Sequence, residues 1–131
     1  MIKIERTTLC YIEKGDSILF LYRNKKKNDY NEGKYIGIGG HFNKGESIVA
    51  CLKREVKEET GLNLQSHRYL GYVDFSNTNH NKERMYLFKG TLEEGSLKEC
   101  DEGDLIYVPK EKIMSLSLWE GDKVFLPYII E

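Results

Sequence analysis

Hydrophobic and polar positions divide the chain into short apolar runs separated by polar turns, with one long amphipathic segment in the first half. Thr7–Ile12 and Ser17–Tyr22 are rich in β-branched and aromatic residues, and Glu13-Lys14-Gly15-Asp16 between them has the chemistry of a hairpin turn. In the second run Ile18, Phe20 and Tyr22 alternate with Leu19 and Leu21, so both faces are apolar and a covered central strand is expected. Residues 24–34 (NKKKNDYNEGK) show no periodicity and read as a loop. Lys25, Lys26 and Lys27 there form either a solvated surface or an electropositive flap. Tyr35–Gly40 is a short strand with glycines where backbone must approach something closely.

A helix follows. Ser47 suits its N-cap, and Thr60-Gly61-Leu62 suits its end, with Gly61 left-handed and Leu62 folding back. Val49, Leu52 and Val56 form the apolar stripe expected to face the core. His67–Ser76 and Glu83–Leu92 then predict two long strands around the polar loop Asn77–Asn81. Leu105–Val108 predicts another strand, ended by Pro109. Val124, Phe125, Tyr128 and Ile129 recur at helical spacing and predict a C-terminal helix within Trp119–Ile130, despite Pro127.

Composition narrows the class. The 131 residues bound a single domain, 1–131, with one core. A net charge of −1 gives no global field for a nucleic-acid polymer, and no run is long enough to span a membrane. MIKIERTT lacks the apolar stretch of a signal peptide, so a cytoplasmic protein is expected, monomer or homodimer. Cys10, Cys51 and Cys100 are three in number and widely spaced, so free buried thiols are expected. His41, His67 and His80 are too scattered for a metal site.

The chemistry concentrates in Gly40–Leu62. At about 100° per residue, Glu55, Glu58 and Glu59 fall within one narrow sector of the helix. Like charges so placed repel each other in isolation and suit a hard divalent cation. Glu46 either favours the helix N-terminus through the dipole or acts on the metal indirectly.

Gly40, five residues, Glu46, seven residues and Arg54-Glu55-Val56-Lys57-Glu58-Glu59-Thr60-Gly61-Leu62 fit the pattern GX5EX7REUXEEXGU, where U is a bulky aliphatic residue. In this the chain resembles the Nudix hydrolases. The resemblance implies an α/β fold, a mixed β-sheet sandwiched between helices, and an Mg²⁺-dependent (or Mn²⁺-dependent) pyrophosphohydrolase acting on a small nucleotide. It implies Glu58 and Glu59 as metal ligands and Glu55 as ligand, general base or both. It further implies the Gly40 carbonyl as another ligand, and Arg54 as the residue that orients a box carboxylate.

Beyond the box, the family often adds an acidic ligand from a later loop. Of Glu99, Asp101, Glu102 and Asp104, Glu102 is the choice, against a plain acidic turn. Arg23, at the end of the second strand, contacts either phosphate or a surface carboxylate. Leu118-Trp119-Glu120-Gly121-Asp122 is similar to the Trp-plus-acid segment of the 8-oxo-purine triphosphatases, with Trp119 and Asp122 as base-binding residues; a core role is the alternative for Trp119. Ile38 and His41 around Gly39-Gly40 depart from many relatives. The expected reaction is hydrolysis of a nucleoside triphosphate, 8-oxo-dGTP first among them, to the monophosphate and pyrophosphate. The alternatives are ADP-ribose, a dinucleoside polyphosphate, or a non-catalytic nucleotide-sensing module, against which the intact box argues.

Overall fold

The computed structural model describes residues 4–25, 27, 29–76 and 82–131; the expected turn Asn77–Asn81 and Lys26 lie outside them. In chain order the elements are β1 (Ile4–Lys14), β2 (Ser17–Tyr22), β3 (Tyr35–Ile36), β4 (Ile38–His41), α1 (Ile48–Thr60), β5 (Leu64–Ser76), β6 (Lys82–Leu92), β7 (Asp104–Pro109), a 3₁₀ turn (Lys110–Ser115) and α2 (Glu120–Ile130).

Among the described residues seven strands join one sheet, β3-β2-β1-β6-β5, with β4 also on β1 and β7 on β2. It is mixed, because β1 runs parallel to β6 while the other pairs are antiparallel. β1 starts earlier than the sequence pattern suggests and closes tightly onto β2. Lys14 pairs with Ser17, which leaves Gly15 and Asp16 as the turn, with Gly15 at φ 59°.

The alternation in β2 works out as expected. Ile18 and Phe20 enter one core layer with Tyr11, Val108, Phe125 and Ile129, on the α2 side. Leu19 and Leu21 enter the other, with Cys10, Ile38, Leu52 and Val56, on the α1 side. All three cysteines are free and buried.

α1 is capped as its sequence implies. Ser47 Oγ accepts from the Ala50 N–H at 3.1 Å, and Gly61, at φ 80°, donates its N–H to the Lys57 carbonyl. The expected apolar stripe needs one correction: Leu52 and Val56 are buried, but Val49 is 41% exposed and Cys51 packs in its stead. A helical Cβ leans toward the N-terminus, so a first-turn side chain overhangs the preceding loop rather than the sheet. In α2 the buried face is Phe125, Leu126 and Ile129 with Asp122, whereas Val124 and Tyr128 of the expected set face solvent. Among the described residues no helix is long and apolar enough to cross a membrane.

Candidate active site

Two adjacent glycines bring the box helix and the sheet into contact. A Cβ on Gly39 would lie 1.8 Å from the Thr8 carbonyl oxygen, so β4 can pair this closely with β1 only without a side chain there. A Cβ on Gly40 would instead meet the Glu55 carboxyl group, at 2.6 Å from its carbon and 2.7 Å from each oxygen. The space left by that hydrogen is occupied by the head of a box glutamate.

Arg54 ties the box together. Its Nε and Nη2 donate to the two oxygens of Glu46 at 2.7 and 2.9 Å, its Nη1 to Glu55 at 2.8 Å and Glu58 at 3.1 Å, and its Nη2 also to the His41 carbonyl at 2.9 Å. The sequence places Arg54 on another part of the helix surface, but its long side chain spans the gap. Glu46 precedes the helix, where it also accepts from the Asn43 N–H at 2.9 Å. These bonds, from Arg54 first, hold its carboxyl down at about 2. Its structural partner is therefore Arg54, beyond the two roles its position in the sequence suggests.

Glu55 and Glu59 are strained electrostatically. Glu59 accepts from the Gly39 N–H at 3.0 Å, yet burial, and then the charges of Glu55 and Glu102, push it up to about 8. Burial raises Glu55 too, against the opposing pull of Arg54. Glu58 is more open, with a side chain 58% exposed. Glu102 lies within electrostatic reach of both Glu55 and Glu59 and forms an ion pair with Arg23 at 3.1 Å. Arg23 Nε also donates to Asp29 at 2.8 Å. Thus Glu102 of the late loop and Arg23, just after β2, meet beside the box.

Among the described residues, no group of three acidic, His or Cys side chains converges as a ready-made metal cage. Arg54 and the Gly39 N–H hold the carboxylates as they stand. The donor set nevertheless fits a hard divalent cation: desolvated carboxylates that repel one another, all-oxygen chemistry, and a glycine that lets the Glu55 carboxyl group lie against its backbone.

On the opposite side of β4, toward α2, a cavity of about 610 Å³ opens. Gly39 and Gly40 form one wall, and Trp119 and Asp122 another. Trp119 Nε1 donates to Asn31 Oδ1 at 2.7 Å, and its indole stacks on Tyr30 with ring centres 4.9 Å apart and planes 19° apart. Asp122, 8% exposed, is pushed up to about 6 by burial and then by the charge of Glu83, which also lines the cavity. The Thr7 hydroxyl on the cavity wall is buried and has no hydrogen-bond partner among the described residues. The structure therefore brings Trp119 and Asp122 together with Gly40, while Arg23 is not part of the cavity lining.

Tyr30, Asn31, Thr7 and Glu83 are site residues that the sequence pattern does not single out. The aperiodic loop hides the first two. Thr7 and Glu83 look like ordinary strand positions, and only the β1–β6 pairing places both strands at the same cavity.

Comparison with known proteins places this geometry in a family. The NUDIX domain profile matches residues 3–129. The oxidized purine nucleoside triphosphate hydrolase of Danio rerio is 27% identical over 107 residues, 81% of this chain and 69% of that protein. Its Mus musculus counterpart is 27% identical over 108 residues, with the same coverage. Among solved structures, the mutator MutT protein of Bacillus halodurans superposes with a TM-score of 0.83 at 26% identity, covering 97% of this chain and 82% of its own. The MutT protein of Methanosarcina mazei gives 0.82 at 25%, covering 97% and 93%. The profile match over almost the whole length, on a fold and box of this form, means that the chain belongs to the Nudix hydrolase family, as a MutT-like pyrophosphohydrolase acting on nucleoside diphosphate derivatives.

Proposed function

We propose that the protein hydrolyses a purine nucleoside triphosphate to the monophosphate and pyrophosphate, with 8-oxo-dGTP as the first substrate to test. The observation that carries this reading is the single cavity shared by Gly39-Gly40, at the box, and by Trp119 and Asp122. Its volume of about 610 Å³ suits one nucleoside. The indole offers a face for a purine, and the raised carboxyl of Asp122 can donate to or accept from the base edge near neutral pH. The Thr7 hydroxyl, without a partner among the described residues, offers one further polar contact. The relatives named for oxidized purine nucleoside triphosphates support the same substrate class.

Glu55, Glu58, Glu59, Glu102 and the Gly40 carbonyl would hold Mg²⁺ or Mn²⁺. When bound, the cation neutralises polyphosphate charge and lowers the pKa of a water molecule. Glu55, fixed by Arg54 and with its side chain only 14% exposed, is the group that takes a proton from attacking water. Arg54 keeps that carboxylate aimed, Glu46 anchors Arg54, and Arg23 contacts the phosphates after parting from Glu102.

The test is hydrolysis of a nucleotide panel with product identification. Purine triphosphates should give monophosphate and pyrophosphate, chelation should abolish turnover, and Glu55→Gln should lower kcat by orders of magnitude while preserving the fold. Preferential cleavage of ADP-ribose or of a dinucleoside polyphosphate would overturn the substrate assignment.

A further inference from the structure

α1 packs chiefly on β4 and β1. The same face of the sheet continues onto β6 and β5, where aromatic residues stand in register. Thr8 pairs with Gly40 on one side and Tyr86 on the other, and Tyr86 pairs with Tyr72. In the next row, Cys10 pairs with Phe88, and Phe88 with Tyr69. The rings form a connected layer: Tyr86 lies 6.2 Å from Tyr72, 6.5 Å from Tyr69 and 5.8 Å from Phe42. Tyr69 and Tyr72 are 50% and 53% exposed, so part of each ring is open to a ligand.

Cations accompany the rings. The Arg84 guanidinium lies 4.1 Å from the Tyr72 ring centre, and that of Arg6 4.6 Å from Phe42. Lys82 is close enough to Arg84's partner Asp74 to help hold its carboxyl down. Arg84 Nε and Nη2 donate to the two Asp74 oxygens at 2.8 and 3.0 Å, so that pair balances itself, and Arg6 and Lys82 are the positive charges left over on this patch, in a chain whose net charge is −1. The chain as a whole has no field for a polymer, but this patch has a local one.

We propose that the β5–β6 face is a second binding site, which takes one or two unpaired bases of a single-stranded oligonucleotide on Tyr69, Tyr72 and Tyr86, with Arg6 meeting its phosphate. Base–aromatic stacking tolerates any sequence, and a guanidinium held flat over a ring presents its edge donors to phosphate oxygens. A second copy of the chain fits less well, because a two-fold contact presents the patch to itself and sets like charges together. The row Gly40–Thr8–Tyr86–Tyr72 crosses three strand spacings, roughly 14 Å, and none of Tyr69, Tyr72 and Tyr86 lines the base cavity, which the patch meets at Lys82.

The experiment is calorimetric titration of a mixed-sequence hexanucleotide, single-stranded and as a duplex, into the full chain in metal-free buffer over a range of salt. The single strand should bind more tightly than the duplex. Tyr69→Ala/Tyr72→Ala should weaken single-strand binding by about tenfold or more, leaving mononucleotide hydrolysis and the melting temperature unchanged. Arg6→Gln should lower the salt dependence and retain stacking. No saturable binding at low salt, equal affinity of the double variant and the parent, or a dimer in sedimentation that the double variant splits would each overturn the proposal. Because mononucleotide turnover is read separately, these results stand apart from any failure of the substrate assignment.

Discussion

Arg54 and Glu46 are joined by two parallel bonds of 2.7 and 2.9 Å, across seven intervening residues and the start of α1. A forked guanidinium–carboxylate pair fixes direction as well as distance. The remaining Arg54 nitrogen, Nη1, is thereby delivered to Glu55. Arg54→Lys keeps the charge and loses the fork, so kcat should fall by roughly 10²-fold with KM little changed, as expected for misplacement of a reacting group. Glu46→Gln should give a smaller fall in the same direction. Steady-state kinetics on one nucleotide would check both, and parental kcat in Arg54→Lys would remove the positioning role.

The two glycines of β4 should respond differently to the same added methyl group. In Gly39→Ala the new carbon overlaps the Thr8 backbone, which cannot move without disturbing the β1–β4 pairing. A stability loss of about 3 kcal/mol or more is expected by denaturant titration. In Gly40→Ala it meets the terminal carboxyl group of Glu55, which can yield by giving up its bond to Arg54. Stability should change by less than about 1 kcal/mol while kcat drops. Equal destabilisation of both would contradict this division.

Asp122 supplies a pH signature. Its carboxyl titrates at about 6 in the folded chain and near 3.8 when unfolded. Between those values the folded state binds more protons, so this residue's contribution to stability is complete below about pH 4 and is lost as pH rises through 6. The loss is roughly 3 kcal/mol at most. Relative to the parent, Asp122→Asn should therefore gain stability between pH 4 and 7, measured by urea unfolding at each pH. A constant difference across that range would show that burial does not perturb Asp122.

Trp119→Ala removes both a stacking face and the donor to Asn31. KM for purine triphosphates should rise about tenfold and that for pyrimidine triphosphates less. An equal rise for all nucleotides would return Trp119 to a purely structural role.

Much of this arrangement is legible in the sequence, for reasons that differ between elements. Ser47, Gly61 and the spaced glutamates act within one helix, so local rules locate them. The two-faced strand β2 is likewise visible from its alternation. What escapes is whatever depends on pairing at long range. Val49 looks like core until the helix is laid on the sheet. Tyr30 and Asn31 belong to a stretch with no period, and their place beside Trp119 is fixed by contacts spanning 88 residues between Asn31 and Trp119. Glu46 has two local readings, and only the fold adds the third, through Arg54.

The central position of β1 also bears on how the protein folds. Its neighbours β4 and β6 are distant in the chain: Thr8 sits between Gly40 and Tyr86. The helix with its caps can form early from nearby residues, but the bed on which the box rests is finished only when the first strand has closed large loops to both partners. Such closure is slow, so acquisition of activity should trail the appearance of helical signal during refolding. A nascent chain halted before β6 would carry the whole signature and still lack the sheet that gives it purpose.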